Sequence, residues 1–112
     1  MNIQIFGKKK CFDTKKAERF FKERRIKFQK IDLLEKGISP GELKSISQSV
    51  GVKNLIDENS PYCEESGIRD AQTTAEMHDV LVDYPEILVT PIIRNGKKAT
   101  VGYRPEVWKT WE

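Results

Sequence analysis

Residues 2–11 read Asn-Ile-Gln-Ile-Phe-Gly-Lys-Lys-Lys-Cys, and an amphipathic run from Lys15 to Arg25 follows them. The alternation of Ile3 and Ile5 predicts a short strand. The helical spacing of Ala17, Phe20 and Phe21 predicts a helix over residues 14–25, with Asp13 as the candidate cap. This order places Cys11 at the N-terminal end of a helix and beside three lysines. Both the helix end and the lysines favour the thiolate, so the sequence predicts a reactive thiol.

The middle of the chain predicts a second strand and then a helical block. Residues 27–33 alternate enough to form a strand, and the helix before them would make a parallel βαβ unit. The helical block covers about 39–84. It opens on a capping box, Ser39-Pro40-Gly41-Glu42, with proline at the first helical position, and Pro85 ends its last helix. We therefore expect a helical insertion after the βαβ unit.

The C-terminal part predicts a β-hairpin and a short helix. Arg94-Asn95-Gly96-Lys97 is a hairpin turn signal, residues 98–103 return as a strand, and Pro105 opens a helix with Trp108 and Trp111. The complete order is β-α-β, helical insertion, β-β-α. It predicts an α/β protein of thioredoxin-like fold with a mixed four-stranded sheet.

Composition limits the functional classes. The chain has 38% hydrophobic and 33% charged residues and a net charge of +3, which fits a single soluble domain over residues 1–112. No apolar run is long enough to span a bilayer, and no secretory segment precedes Cys11. We therefore expect a cytoplasmic protein without membrane or direct nucleic-acid partners. One histidine and two cysteines offer too few soft ligands for a zinc site, so no metal is expected.

Three segments resemble the ArsC/Spx family over nearly the whole chain. Cys11 with Lys15-Lys16-Ala17 is similar to the family's Cys-x-x-x-(Lys/Arg)-(Lys/Arg)-Ala motif on its first helix. Residues 84–93 resemble a Pro-x-Leu-(Leu/Ile)-x-Arg-Pro-Ile segment, in which the second proline is cis and faces the cysteine. Residues 101–103, followed by Pro105-Glu106, resemble a Val-Gly-(Phe/Tyr) ending. The resemblance implies a thioredoxin-like fold with a catalytic thiol.

Two departures from the family pattern bear on its chemistry. Arsenate reductases of the family have an arginine directly before the cis-proline, where this chain has Thr90. They have another in a middle Leu-(Val/Ile)-Arg segment, where this chain has Asp57. Because guanidinium groups clamp the oxygens of arsenate, these replacements remove two donors, and the carboxylate adds repulsion. The sequence therefore predicts monothiol exchange rather than efficient arsenate reduction.

The resemblance and the charges beside Cys11 predict roles for residues near the thiol. Cys11 would be the nucleophile. Groups expected to tune its thiolate are Lys8, Lys9, Lys10 and Thr14. The three lysines have two other interpretations, a solvated loop or a binding site for a glutathione carboxylate. Groups expected to bind substrate are Thr90, Pro91 and Arg104.

A resolving thiol is not provided locally. Thr14 stands where Spx-type switches carry a second cysteine. Cys63 would either resolve a mixed disulfide or be a solvent-facing thiol in the loop of residues 60–67. His78 is expected to be a surface or boundary residue rather than a base.

Three functions remain open at this point. In the first, Cys11 attacks a disulfide or an oxidised small thiol, and glutathione, another low-molecular thiol or Cys63 resolves the mixed disulfide. No cofactor is bound, and glutaredoxin is a candidate partner. In the second, the chain is a Spx-like regulator that binds RNA polymerase without catalysis and can bury Cys11. In the third, it reduces arsenate with glutathione or glutaredoxin, which requires Arg94 and Arg104 to converge on the thiol.

Overall fold

The sheet is mixed and has four strands in the order β2-β1-β3-β4 in a computed structural model that describes residues 1–111. β1 pairs in parallel with β2 and antiparallel with β3, and β3 pairs antiparallel with β4. The strands are β1 (Ile3–Gly7), β2 (Phe28–Asp32), β3 (Ile92–Asn95) and β4 (Lys98–Val101). This topology confirms the predicted thioredoxin-like α/β fold.

Most helices lie between β2 and β3. The α-helices are α1 (Phe12–Glu23), α2 (Leu33–Lys36), α3 (Pro40–Val50), α4 (Cys63–Ser66), α5 (Thr74–Asp83) and α6 (Pro105–Trp108). Short 3-10 turns cover Val52–Leu55, Ile68–Asp70, Pro85–Ile87 and Lys109–Trp111. Within the described residues, no helix is long and apolar enough to cross a membrane.

Local sequence signals set several of these boundaries. The predicted capping box is present, because the Ser39 side chain accepts from the Glu42 N–H and the Glu42 carboxylate accepts from the Ser39 N–H. Thr73 caps α5 by accepting from the Glu76 N–H, while the Glu76 carboxylate accepts from the Thr73 hydroxyl instead of the Thr73 N–H. The first helix begins at Phe12 and not at Thr14, because Cys11 takes the extended backbone of an N-cap residue.

The sheet separates two groups of buried side chains. On the α1 face, Ile3 and Ile5 of β1 pack with Phe21 and Trp108. On the other face, Phe6 packs with the helical elements that follow β2. Because successive side chains of β1 point to opposite faces of the sheet, this strand contributes to both cores, as expected for a strand buried on both sides.

One end of the sheet carries the predicted site. β1, β2 and β4 end there, while β3 begins there. The segment before β3 and the segment after β4 are joined by a hydrogen bond from the Gly102 N–H to the Pro91 carbonyl, 2.8 Å long. Cys11, Pro91 and the residues after β2 are consequently brought to the same edge.

Candidate thiol site

Cys11 occupies the N-cap position of α1 and is partly exposed. Its N–H donates to the Lys8 carbonyl at 3.1 Å, which closes the loop that leads out of β1. Its Sγ lies 3.6 Å from the carbonyl oxygen of Thr90, to which the thiol donates. The sulfur therefore lies between the start of α1 and the segment before β3, within reach of solvent.

The surroundings of Cys11 favour its ionised form. Partial burial alone raises the pKa of Cys11, because it removes water from the thiolate. Hydrogen-bonding groups around the sulfur lower the pKa of Cys11: the side chains of Thr14 and Thr90 and the N–H groups of Thr14 and Asp13. Their sum exceeds the effect of burial, so the net pKa of Cys11 is lower than that of an ordinary cysteine.

Thr14 is a buried polar residue with an unusual hydroxyl. Only 3% of its surface is exposed, and its Oγ1 makes no hydrogen bond of standard geometry to the described residues. The lowered pKa of Cys11 nevertheless depends on this hydroxyl. We interpret it as a donor that lies against the sulfur and completes its bond when the thiol ionises. Gly7 makes room for it, because a Cβ there would lie 2.9 Å from Oγ1 and overlap the Thr14 methyl group.

Removing this hydroxyl tests its effect on the thiol. We expect Thr14→Val to raise the pKa of Cys11, because the thiolate loses a donor while its burial is kept. The midpoint of the alkylation rate with iodoacetamide then moves to higher pH, and the rate at pH 7 falls several-fold. The measurement uses a Cys63→Ser background, with Thr74→Val at an exposed position as control. An unchanged midpoint in Thr14→Val would contradict the assignment.

Lys8 is directed into the protein. Its Nζ donates to the carbonyl oxygens of Glu86 and Leu88 at 2.9 and 2.8 Å. Burial lowers the pKa of Lys8, although the negative charges of Asp57, Cys11 and Glu86 partly offset this effect. The solvated-loop interpretation is therefore wrong for Lys8. Its hydrogen bonds connect the loop before Cys11 to the segment before Pro91.

The other two lysines differ from Lys8. Lys9 is exposed and forms an ion pair with Glu35 at 2.8 Å, and this hydrogen bond raises the pKa of Lys9. Lys10 is exposed and has no carboxylate within ion-pair distance in the described part of the chain. Both line the groove beside Cys11, together with Leu34. A role for these two lysines in tuning the thiolate or binding a carboxylate stays a prediction.

The Thr90–Pro91 peptide bond is cis, which confirms the expectation for Pro91. Pro91 is buried, and Thr90 is partly buried beside the thiol. Asp57, at the place of the family's middle arginine, is also partly buried. Its charge acts on Lys8, and its backbone N–H donates to the Ile87 carbonyl at 2.8 Å.

The arginines do not converge on Cys11. Arg94 donates to the side chains of Gln4 and Ser45 and to the Gly96 carbonyl, so it lies along the sheet and away from the thiol. Arg104 is exposed, donates to the Val101 carbonyl at 3.4 Å, and lines a groove that does not include Cys11. Substrate binding by Arg104 stays a prediction.

Cys63 corrects one expectation. It is not a solvent-facing thiol in a loop, because it begins α4 and only 2% of its surface is exposed. Its Sγ donates to the Asp57 carbonyl at 3.3 Å, and apolar side chains such as Leu55 and Ile68 belong to the same core. Resolution of a mixed disulfide by Cys63 would require this thiol to be uncovered.

His78 is partly buried, and its Nε2 lies 2.8 Å from the Ser47 hydroxyl, away from Cys11, as expected for a boundary residue. Residues 1–111 contain no group of three His, Cys, Asp or Glu side chains placed to hold a metal ion.

Comparisons with known proteins point in one direction. The model of the ArsC family matches residues 6–111. The chain is 25% identical to global transcriptional regulator Spx 2 from Oceanobacillus iheyensis over 109 residues, which cover 95% of this chain and 80% of that protein. It is similar in structure to an ArsC family related protein from Bacteroides fragilis, with a TM-score of 0.85, 20% identity and coverage of 100% and 98%. Arsenate reductase from Vibrio cholerae gives a TM-score of 0.83, 23% identity and coverage of 96% and 94%.

Proposed function

Since the chain belongs to the ArsC family, we propose that it is a thiol-dependent oxidoreductase that exchanges disulfides through Cys11. The observation that supports this most directly is the partly exposed Cys11 sulfur at the start of α1, with a lowered pKa. A purely structural cysteine needs neither property. The proposal places the protein in the cytoplasm, where low-molecular thiols keep such a cysteine reduced.

The reaction consists of two exchanges. The Cys11 thiolate attacks one sulfur of the substrate disulfide, so that the substrate S–S bond breaks and a Cys11 mixed disulfide forms. The leaving thiolate takes a proton from water. A second thiolate, from glutathione, another low-molecular thiol or glutaredoxin, then attacks the mixed disulfide and releases Cys11. The N–H groups at the start of α1 and the Thr14 hydroxyl stabilise Cys11 as nucleophile and as leaving group.

Arsenate is a poorer substrate for this site. Asp57 brings a carboxylate where the family's reductases have a guanidinium, and Thr90 brings a neutral side chain. Arg94 is held by Gln4 and Ser45, away from the sulfur. A dianion bound to Cys11 would therefore meet fewer donors and one repulsive charge.

A competition between two oxidants tests this proposal. We expect the reduced protein to turn over hydroxyethyl disulfide in the presence of glutathione, and to turn over arsenate at least about tenfold more slowly. Glutathione disulfide formation is followed through glutathione reductase and NADPH. Cys63→Ser is the matched thiol control and should keep the disulfide rate. Faster turnover of arsenate than of the disulfide, or no turnover of the disulfide, would refute the proposal.

A second candidate function follows from the relatives. Proteins named transcriptional regulators match nearly the whole chain, which favours a Spx-like regulator that binds RNA polymerase without catalysis. Binding of purified bacterial RNA polymerase to the immobilised chain tests it. Under this alternative, binding persists in Cys11→Ser and no disulfide is turned over.

A further inference from the structure

Large exposed apolar side chains gather at the end of the sheet that carries Cys11. Phe12, Leu34 and Tyr103 expose 78%, 55% and 40% of their surfaces. They follow β1, β2 and β4, and all three of these strands end at the edge of the sheet near Cys11. Met1 is the other large exposed apolar residue among those described, and it precedes β1 at the opposite end. We call Phe12, Leu34 and Tyr103 the apolar rim.

The apolar rim is wider than a small disulfide. It extends from the end of β2 to the end of β4, which are the two outer strands of the sheet. Three strand spacings amount to about 14 Å, the length of four or five residues of extended polypeptide. Cys11 follows β1 and therefore lies within this row. Leu34 lines the groove beside Cys11, so a polypeptide bound at the thiol would contact it.

The charges around the apolar rim are mainly positive. Lys10, Lys15 and Arg104 are exposed, and none of them pairs with a carboxylate in residues 1–111. Lys15 Nζ lies 5.9 Å from the centre of the Phe12 ring, and Lys16 Nζ lies 5.7 Å from that of Tyr103. An approaching surface therefore meets apolar side chains next to the unpaired ammonium groups of Lys10 and Lys15, which favours acidic residues in the partner.

The carboxylates at this end are only partly engaged. Asp32 lines the groove beside Cys11 and accepts from the Leu34 N–H. Glu106, two residues beyond Arg104, is exposed and has no ion-pair partner within residues 1–111.

Glu35 forms the ion pair with Lys9, and Asp13 lies 4.0 Å from Lys16. At this end the exposed carboxylates are Glu35 and Glu106. They are outnumbered by the exposed cations Lys9, Lys10, Lys15, Lys16 and Arg104. This asymmetry distinguishes an acidic partner from a basic one.

We propose that the substrate of Cys11 is a polypeptide whose disulfide is flanked by apolar and acidic residues and lies extended across the apolar rim. The inference rests on the proposed thiol exchange. The Cys11 thiolate attacks a sulfur of the polypeptide disulfide, the polypeptide S–S bond breaks, and the leaving thiolate takes a proton from water. The low-molecular thiol then resolves the mixed disulfide.

Probes with one common leaving group test the inference. Each probe carries 2-nitro-5-thiobenzoate in disulfide linkage to cysteine. The first is cysteine itself, and the second is a pentapeptide of aspartate, leucine, cysteine, phenylalanine and glutamate. The third has lysine at both charged positions. Chromophore release is measured in single turnover with excess reduced protein.

We expect the acidic peptide to react about tenfold faster than cysteine and faster than the basic peptide, because only it complements the rim. Phe12→Ala should lower the ratio of the peptide rate to the cysteine rate about tenfold, and Leu34→Ala should lower it less. Phe28→Ala removes the same side chain at the other end of β2 and should leave the ratio unchanged. Circular dichroism confirms that each variant is folded.

The outcomes separate the two proposals. Chromophore release from none of the probes would overturn the thiol exchange itself. Equal rates with cysteine and both peptides would leave the exchange standing and overturn the polypeptide substrate. An unchanged ratio in folded Phe12→Ala and Leu34→Ala would also overturn it.

Discussion

Serine in place of Cys11 is expected to reduce disulfide turnover to the rate measured without protein. The hydroxyl is not ionised near pH 7 and cannot form the mixed disulfide, so both exchanges are lost. The fold should be unaffected, because the side chain of the neutral Cys11 thiol accepts no capping hydrogen bond from the N–H groups of α1 and is partly exposed. The turnover of hydroxyethyl disulfide with glutathione, together with the thermal midpoint of unfolding, measures both effects.

The matched control for this variant is Cys63→Ser, which removes the other thiol of the chain. It leaves Cys11 and its donors in place, so turnover should persist even if the buried hydroxyl lowers stability. The reverse pattern, with activity lost in Cys63→Ser and kept in Cys11→Ser, would show that the nucleophile was misassigned.

Among the substitutions proposed for this chain, alanine in place of Trp108 should lower the free energy of unfolding most. Trp108 is 1% exposed and packs against the rings of Phe20, Phe21 and Tyr103 at centroid distances of 5.3 to 5.5 Å. Its indole N–H donates to Thr100 Oγ1 at 2.7 Å, so truncation also leaves a buried hydroxyl without its donor. We expect the free energy of unfolding to fall by about 3–5 kcal/mol. Denaturant unfolding followed by circular dichroism measures it.

Trp111→Ala provides a matched comparison. Trp111 lies three residues further on and is only partly buried against the same core. We expect Trp111→Ala to lower the free energy of unfolding by about 1–2 kcal/mol, because this substitution removes less apolar surface from the core. Equal losses in the two variants would mean that Trp108 does not anchor α6 to the sheet.

Local signals predicted most of the fold because they act over a few residues. The capping box at Ser39 and the turn at Gly96 depend only on neighbouring backbone, and the structure has both. The start of α1 was misplaced by two residues, because cysteine is not a common N-cap residue and Asp13 was the more obvious choice. The N-cap position brings Cys11 next to the free N–H groups of the first turn, and these groups favour its thiolate form.

The contacts around the thiol were harder to predict because they join distant segments. Lys8 donates to carbonyls 78 and 80 residues away, so nothing near it in the sequence distinguishes it from Lys9 and Lys10. Cys63 lies among polar and acidic residues, yet its position at the start of α4 turns it into the core. Phe12 had a weak signal: it is the one phenylalanine of the first helix outside the apolar stripe of Ala17, Phe20 and Phe21.

Burial of Cys63 leaves a covalent complex at Cys11 without an internal route of release. Dithiol proteins free their partners by attack from a second cysteine, which must be removed before such complexes can be collected. Here the remaining thiol is held by the Asp57 carbonyl inside the core. Once small thiols are washed away, the wild-type protein should therefore keep its partners bound to Cys11 by a disulfide. These covalent adducts should survive non-reducing electrophoresis, and mass spectrometry can then identify the partners.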